Sequence, residues 1–340
     1  MMSRPLKGRS SITLYDGSPL IWFVLALVAL GLIFMGGFVV SESRETTFQL
    51  GEGPEVTLTK ADLEKMSKIP AGRAWVYYPD ATMQVVAEQI AERLARAYAL
   101  IPERLGLEPE ATSVVLLGGE KPGTIRVKLD DDPPFGIWLP PEVITGGLEQ
   151  ASERLWSDIY WTMPHEATEP VISARLYHDC GARWVGDGLA DYAGYVVSGQ
   201  FRPDTQRRRL EGRLDSIEGL ISQGKTSYNL SEEFQALRRG QSIIFGFVIA
   251  RWGCKESPFH IVVAGYAVSL AVWLDLVDKH GEEMIKQFWQ ELQKIPKPAH
   301  RDVLSILKGL TGEDMEARVT NVDLRQAAEV LRRHLAKLGS

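Results

Sequence analysis

This chain of 340 residues has few cysteines, only Cys180 and Cys254, so at most one disulfide can brace it. With 45% hydrophobic residues it has the means to bury a substantial core, and one or two domains are expected. It also lacks a strong charge of either sign. The net charge is -6, with acids and bases spread along the chain, which weighs against nucleic acid as the main partner. No internal repeat and no low-complexity tract is present. No serine-hydrolase elbow occurs, and a cysteine nucleophile has no support beyond the presence of Cys180 and His178.

One long apolar run is there. Residues 20–40 are apolar or glycine without a charge, long enough to cross a bilayer as a helix. Arg4, Lys7 and Arg9 precede the run against Asp16 alone, while Glu42, Arg44 and Glu45 follow it. The positive-inside rule then puts residues 1–19 in the cytoplasm and the C-terminal domain outside, as a single-pass membrane protein. The alternative is a cleaved signal peptide, since Val39-Val40-Ser41 is a passable cleavage site. The run exceeds the roughly 7–15 residues of a secretory apolar core, which favours a retained anchor. In an oxidising compartment Cys180 and Cys254 either form one disulfide or persist as two buried thiols.

Residues 41–54 read as a polar linker. An α+β N-terminal subdomain over 55–142 follows, with strands expected at 73–78, 113–117, 124–129 and 135–139. Asp80 is placed to cap a helix in which Met83, Val86, Ile90, Leu94 and Ala97 recur at helical spacing. From 143 to 320 the pattern is helical. Helices are expected through 156–161, through 184–196, and where Leu210, Leu214, Ile217 and Ile221 mark an amphipathic face. Others cover 241–251, 263–280 and 282–295, and a last one over 324–338 fills the C-terminal segment 321–340. The expected fold class is therefore α+β: a transmembrane helix, a small subdomain with a mixed sheet, then a mainly helical subdomain. Asp130-Asp131-Asp132 before Pro133-Pro134 lacks the spaced ligands of a calcium loop and reads as a solvated turn.

The chemistry concentrates in Pro164-His165-Glu166-Ala167-Thr168-Glu169 and in Trp184-Val185-Gly186-Asp187-Gly188-Leu189-Ala190. Four residues are a little more than one helical turn, so His165 and Glu169 project from one face. Glu166, offset by one residue, would lie beside an ion held there and could take a proton from water. Asp187, on the next expected helix, can supply a third ligand. The plainer alternative is a set of polar helix residues with Asp187 as a turn or cap. His178 could stand in as a ligand, but its spacing favours a polar residue near a helix C-terminus.

The two motifs together resemble the gluzincin metallopeptidases of the peptidase MA superfamily. In the zincin pattern two histidines four apart bind the metal and the intervening glutamate is the general base. Here Glu169 stands at the second histidine position, so HExxE replaces HExxH. Trp184, Gly188 and Ala190 match the gluzincin third-ligand motif, with Asp187 at its glutamate position. The resemblance covers roughly residues 70–320. It implies a zincin-like helical subdomain in which His165, Glu169 and Asp187 hold zinc and Glu166 activates water. It further implies that Tyr266, opening the helix that leads to Lys279-His280-Gly281-Glu282-Glu283, stabilises the oxyanion. Residues 135–139 would be the edge strand that receives an extended peptide.

The departures from that pattern have definite consequences. Two carboxylates and one neutral histidine leave a divalent ion with no net charge, which weakens its effect on water. More oxygen ligation also shifts preference from zinc toward harder ions such as manganese. Asp187 is one methylene shorter than glutamate, so its helix must come closer. Pro170 removes an amide and should clash with the Glu166 carbonyl, kinking the helix. Two functions stay open: a membrane-anchored, extracytoplasmic peptide hydrolase, or an inactive protein of the same fold that binds a protein or cell-envelope partner. Zinc is the cofactor of the first; another divalent metal, or none, fits the altered ligand set.

Gly219, Gly224, Lys225 and Thr226 satisfy the Walker A pattern letter for letter. That pattern cradles phosphate only between a buried strand and a helix. Residues 207–218 are charged and helical in period, so no nucleotide is expected.

Overall fold

Alternation of β-branched and aromatic residues with polar ones builds the first part of the molecule. The computed structural model describes residues 44–48, 54–121, 123–129, 134–176, 179–234, 236–237, 256–257 and 259–339. In chain order the first elements are β1 (Arg44–Phe48), β2 (Glu55–Thr59), α1 (Lys60–Lys65), β3 (Ser67–Ala71) and β4 (Ala74–Tyr78). Then come α2 (Gln84–Leu105), β5 (Val114–Gly118), β6 (Thr124–Leu129) and β7 (Phe135–Leu139). One sheet has the order β3-β4-β5-β7, antiparallel at β3 and parallel from β4 onward; the other has the order β1-β6-β2. Both are mixed, as the sequence pattern leads one to expect.

The period of two decides which side chains enter which core. In β4, Ala74, Val76 and Tyr78 are buried while Trp75 is exposed. Val86, Ile90, Leu94, Ala97 and Ile101 line the buried stripe of α2 and join that core. β5 sends Val114 and Leu116 the same way, but Val115 turns to a smaller cluster with Leu58, Leu63, Ile125 and Val127. Asp80 Oδ1 accepts from the Thr82 amide at 2.8 Å, capping the short 3-10 turn that leads into α2. β1 lies inside the stretch that reads as a linker, paired antiparallel with β6.

The helical part comprises α3 (Pro141–Gly146), α4 (Glu153–Ser157), α5 (Met163–Leu176), α6 (Arg183–Phe201) and α7 (Pro203–Ser222). It continues with α8 (Phe259–His280), α9 (Glu283–Gln293), α10 (His300–Thr311), α11 (Met315–Thr320) and α12 (Leu324–Lys337). α10 and α11 occupy a stretch that periodicity alone does not delimit. α8 has the length and apolarity of a membrane span over His260–His280. It packs against α6, α7 and α12, and 67% of that span is buried inside the fold, so here it serves as a core helix. The expected transmembrane run 20–40, the helix over 241–251, Asp130 to Asp132, His178 and Cys254 lie outside the described residues. Gly219 sits within α7, and the chain then turns into a two-residue bridge, Ser227–Tyr228, so the Walker-like letters run from helix to strand.

α6 is the axis of this part, buried on nearly every side. Its glycines let neighbours approach. A Cβ on Gly188 would stand 2.6 Å from Trp273 Cδ1 and 3.0 Å from Ser269 Cβ, and one on Gly194 would stand 2.9 Å from the Trp161 carbonyl oxygen. Gly188→Ala is therefore expected to overpack the α6–α8 contact and lower stability by about 1–3 kcal/mol. Urea unfolding measures it; a variant as stable as the parent would mean that this contact is looser than described.

Candidate metal centre

The site is assembled by two helices that run past each other, α5 and α6, which pack more extensively than any other pair of elements. His165 faces Asp191 while Glu169 comes close to Asp187, so the contacts run in opposite chain directions. One donor atom each from His165, Glu169 and Asp187 falls within 4.8 Å of the other two. The three residues that the sequence offers as ligands are thus brought together. His165 Nε2 lies 3.4 Å from Glu169 Oε2, and Asp187 Oδ1 is buried without a hydrogen-bond partner.

Further residues complete the site. Asp191 Oδ1 lies 3.0 Å from His165 Nδ1, which leaves Nε2 as the nitrogen turned toward Glu169. Asp191 is fully buried and is itself held by Arg213, 2.7 Å away, and by the Trp161 indole N–H at 3.2 Å. Trp161 belongs to a single π-helical turn, Asp158–Thr162, between α4 and α5. Arg183, one turn before Asp187, holds its Nε 2.6 Å from Asp187 Oδ2 and donates through Nη2 to Tyr266 Oη at 3.1 Å. Asp191, Arg183, Arg213 and Trp161 did not emerge from the motif reading.

Burial and crowding of like charge set the protonation states. Burial pushes Asp187 up to about 7, with Glu169 adding and Arg183 and His165 opposing. Burial likewise pushes Glu166 up to about 7, against His165 and with Glu169 and Asp191. For Asp191 burial is outweighed by Arg213 and His165, which hold the carboxyl down at about 2. Burial would depress His165, but its hydrogen bonds to Asp191 and Glu169 raise it well above the ordinary histidine value. The Tyr266 hydroxyl stays protonated because burial, then Asp187, push it far up. Four carboxylates thus share the site with two guanidiniums, an arrangement that a divalent cation would balance.

α5 continues through Pro170 as one helix from Met163 to Leu176. The Glu166 carbonyl, which proline deprives of an amide, accepts from Thr112 Oγ1 at 3.3 Å, and the Ala167 carbonyl accepts from the Glu110 amide at 2.8 Å. The segment that enters β5 therefore completes the helix that proline interrupts. β7, paired with β5, stands at the end of its sheet, the edge position expected for residues 135–139. Tyr266, half-buried on α8, reaches the cluster with its ring centroid 5.9 Å from that of His165. Trp184 is an anchor rather than a site group: it stacks on Trp273 and donates to His300 Nε2 at 3.1 Å.

No family model matches this chain, and no curated protein does. Among solved structures, the aminopeptidase A of Legionella pneumophila in complex with aspartic acid is matched at 14% identity and a TM-score of 0.35. The match covers 74% of this chain and 26% of that one, so the chain spans about a quarter of the aminopeptidase. At that level of likeness neither fold nor activity is assigned by it, and the centre stands on its own geometry.

On that geometry the donors fit a divalent ion. They combine one imidazole nitrogen with two carboxylates, the nitrogen is oriented by a buried carboxylate, and Asp187 Oδ1 is a buried acceptor without a donor. The donor types do not by themselves choose the ion.

Proposed function

We propose that this chain is a metal-dependent peptide hydrolase, tethered to a membrane by residues 20–40 and acting outside the cytoplasm. The observation that carries the reading is the meeting of His165, Glu169 and Asp187 donors within 4.8 Å, with Glu166 on the same helix as the first two. A divalent ion held by those three residues, zinc in the first instance, would supply Lewis acidity for attack of water on an amide carbonyl. Glu166, half-buried and with no hydrogen bond on its carboxylate among the described residues, takes the proton from water and passes it to the leaving amine. The protonated Tyr266 hydroxyl, held by Arg183, hydrogen-bonds the oxyanion. The edge of β7 would hold an extended peptide by main-chain pairing, and the Thr112 and Glu110 bonds to α5 tie that sheet to the site. The disulfide-bonded state of Cys180 supports an oxidising compartment; the sequence holds one other cysteine, Cys254.

A second reading draws on Arg183, whose guanidinium already neutralises Asp187. It makes the chain a non-catalytic protein that binds a protein or cell-envelope partner through the same cleft. Metal analysis of the purified full-length chain by mass spectrometry separates the two. The expected result is stoichiometric zinc or another divalent metal, lost in His165→Ala. A folded wild-type chain that takes up no metal from solution would overturn the hydrolase and leave the binding protein.

A further inference from the structure

Arg183 occupies a place that simple electrostatics disfavours for a cation. It is the first residue of α6, at the positive end of the helix dipole, and it is 4% exposed. Among the described residues, three neighbours hold it there. Its Nε lies 2.6 Å from Asp187 Oδ2, its Nη2 3.1 Å from Tyr266 Oη, and its Cζ 4.5 Å from the centre of the Phe234 ring. A second guanidinium, that of Arg213, lies on the same tyrosine ring at 5.2 Å, so Arg183 does not serve to balance a deficit of positive charge around Tyr266.

Two consequences follow for Asp187. Its Oδ2 is taken by Arg183, whereas its Oδ1 is buried with no hydrogen-bond partner, so the carboxylate presents one oxygen rather than two. Glu169 and Asp187 with a neutral His165 would cancel the charge of a divalent ion, and the Arg183 guanidinium returns one net positive charge. That is the balance of a site with two histidines and one carboxylate. Glu169 and Arg183 thus act as a matched pair: the carboxylate at the second histidine position is offset by a cation on the third ligand.

We infer that Arg183 sets the ion preference of the centre. By confining Asp187 to one donor oxygen and restoring positive charge, it widens the margin of zinc over manganese that two carboxylate ligands would narrow. Manganese gains from each added oxygen donor and from negative charge, while zinc is content with few ligands including nitrogen. The inference rests on the metal-binding reading above.

Calorimetric titration of the full-length chain with Zn²⁺ and with Mn²⁺ tests it. Arg183→Met should improve manganese binding relative to zinc at least tenfold, and Arg183→Lys should keep the wild-type ratio within about threefold. With Arg183 in place, Glu169→His should weaken zinc binding at least tenfold, because the centre then carries an excess positive charge. The double variant Glu169→His, Arg183→Met should recover it. If the wild type binds and Arg183→Met leaves the zinc-to-manganese ratio unchanged, the inference falls while the metal site stands. Should Arg183→Met not fold, Glu169→His decides alone, and tighter zinc binding in that variant overturns the inference. A wild-type chain that binds neither ion removes the metal site itself.

Discussion

Glu166→Gln should reduce peptide hydrolysis by about a thousandfold while metal content is unchanged, within the 10²–10⁴ range that a positioned base contributes. The substitution is nearly isosteric. It spares His165, Glu169 and Asp187, and the carboxylate it removes makes no hydrogen bond among the described residues. A second effect has the opposite sign. Burial, with Glu169 and Asp191, raises Glu166 to about 7 against an ordinary value of 4.5, so the metal-free fold prefers the neutral acid. A raised carboxyl contributes stability that is full below the unfolded value and is lost as pH rises through the folded one. Glutamine does not ionise, so at pH 8 the metal-free variant should be more stable than the parent, by about 3 kcal/mol. The difference should close as pH falls toward 4. Turnover within tenfold of wild type would remove Glu166 from the role of base, and a variant less stable than the parent at pH 8 would refute the crowding of charge.

The ligand positions were legible because their chemistry is carried by local spacing. His165 and Glu169 share a helix face by virtue of being four apart, and Asp187 follows a tryptophan and precedes a glycine that the α6–α8 contact requires. Asp191 and Arg183 obey the same spacing on either side of Asp187. Three charged residues at i, i+4 and i+8 along a helix otherwise apolar on that face were a signal available in the sequence. Arg213 carried no such signal, since only the folding of α7 onto α6 brings it to Asp191. Trp161 reaches Asp191 from a π-helical turn, whose spacing departs from the period on which a helical reading relies.

The strands of the sheet show the same division. β4, β5 and β7 were legible because each buries alternate or successive apolar residues. β1, a polar segment, forms only as a partner of β6, which is a tertiary fact. Pro170 marks the limit of local rules. The loss of an amide was readable, but its remedy, the Thr112 hydroxyl on the Glu166 carbonyl, comes from a segment 54 residues away in sequence.

Arg213→Met should be the most destabilising single change in the site. Asp191 is 0% exposed and lies between Arg213, His165 and Trp161. Removing one partner of a buried ion pair leaves a charge without compensation, which costs about 3–5 kcal/mol. The pH dependence identifies the cause. Asp191 is held at about 2 despite burial, first by Arg213 and then by His165, below the ordinary 3.8. A depressed carboxyl contributes stability that is present above the unfolded value and is lost as pH falls through the folded one. The deficit of Arg213→Met should therefore be full above pH 4 and shrink toward pH 2. Adding Asp191→Asn should recover part of the loss, because the buried charge is then gone, and the non-additivity of the two changes measures the pair. Since Asp191 orients His165, Arg213→Met should also weaken metal binding by about 10–100-fold. Unfolding curves from pH 2 to 7 for the two single variants and the double decide it. Additive losses, or a deficit independent of pH, would mean that Arg213 contributes packing rather than charge and that His165 is oriented without it.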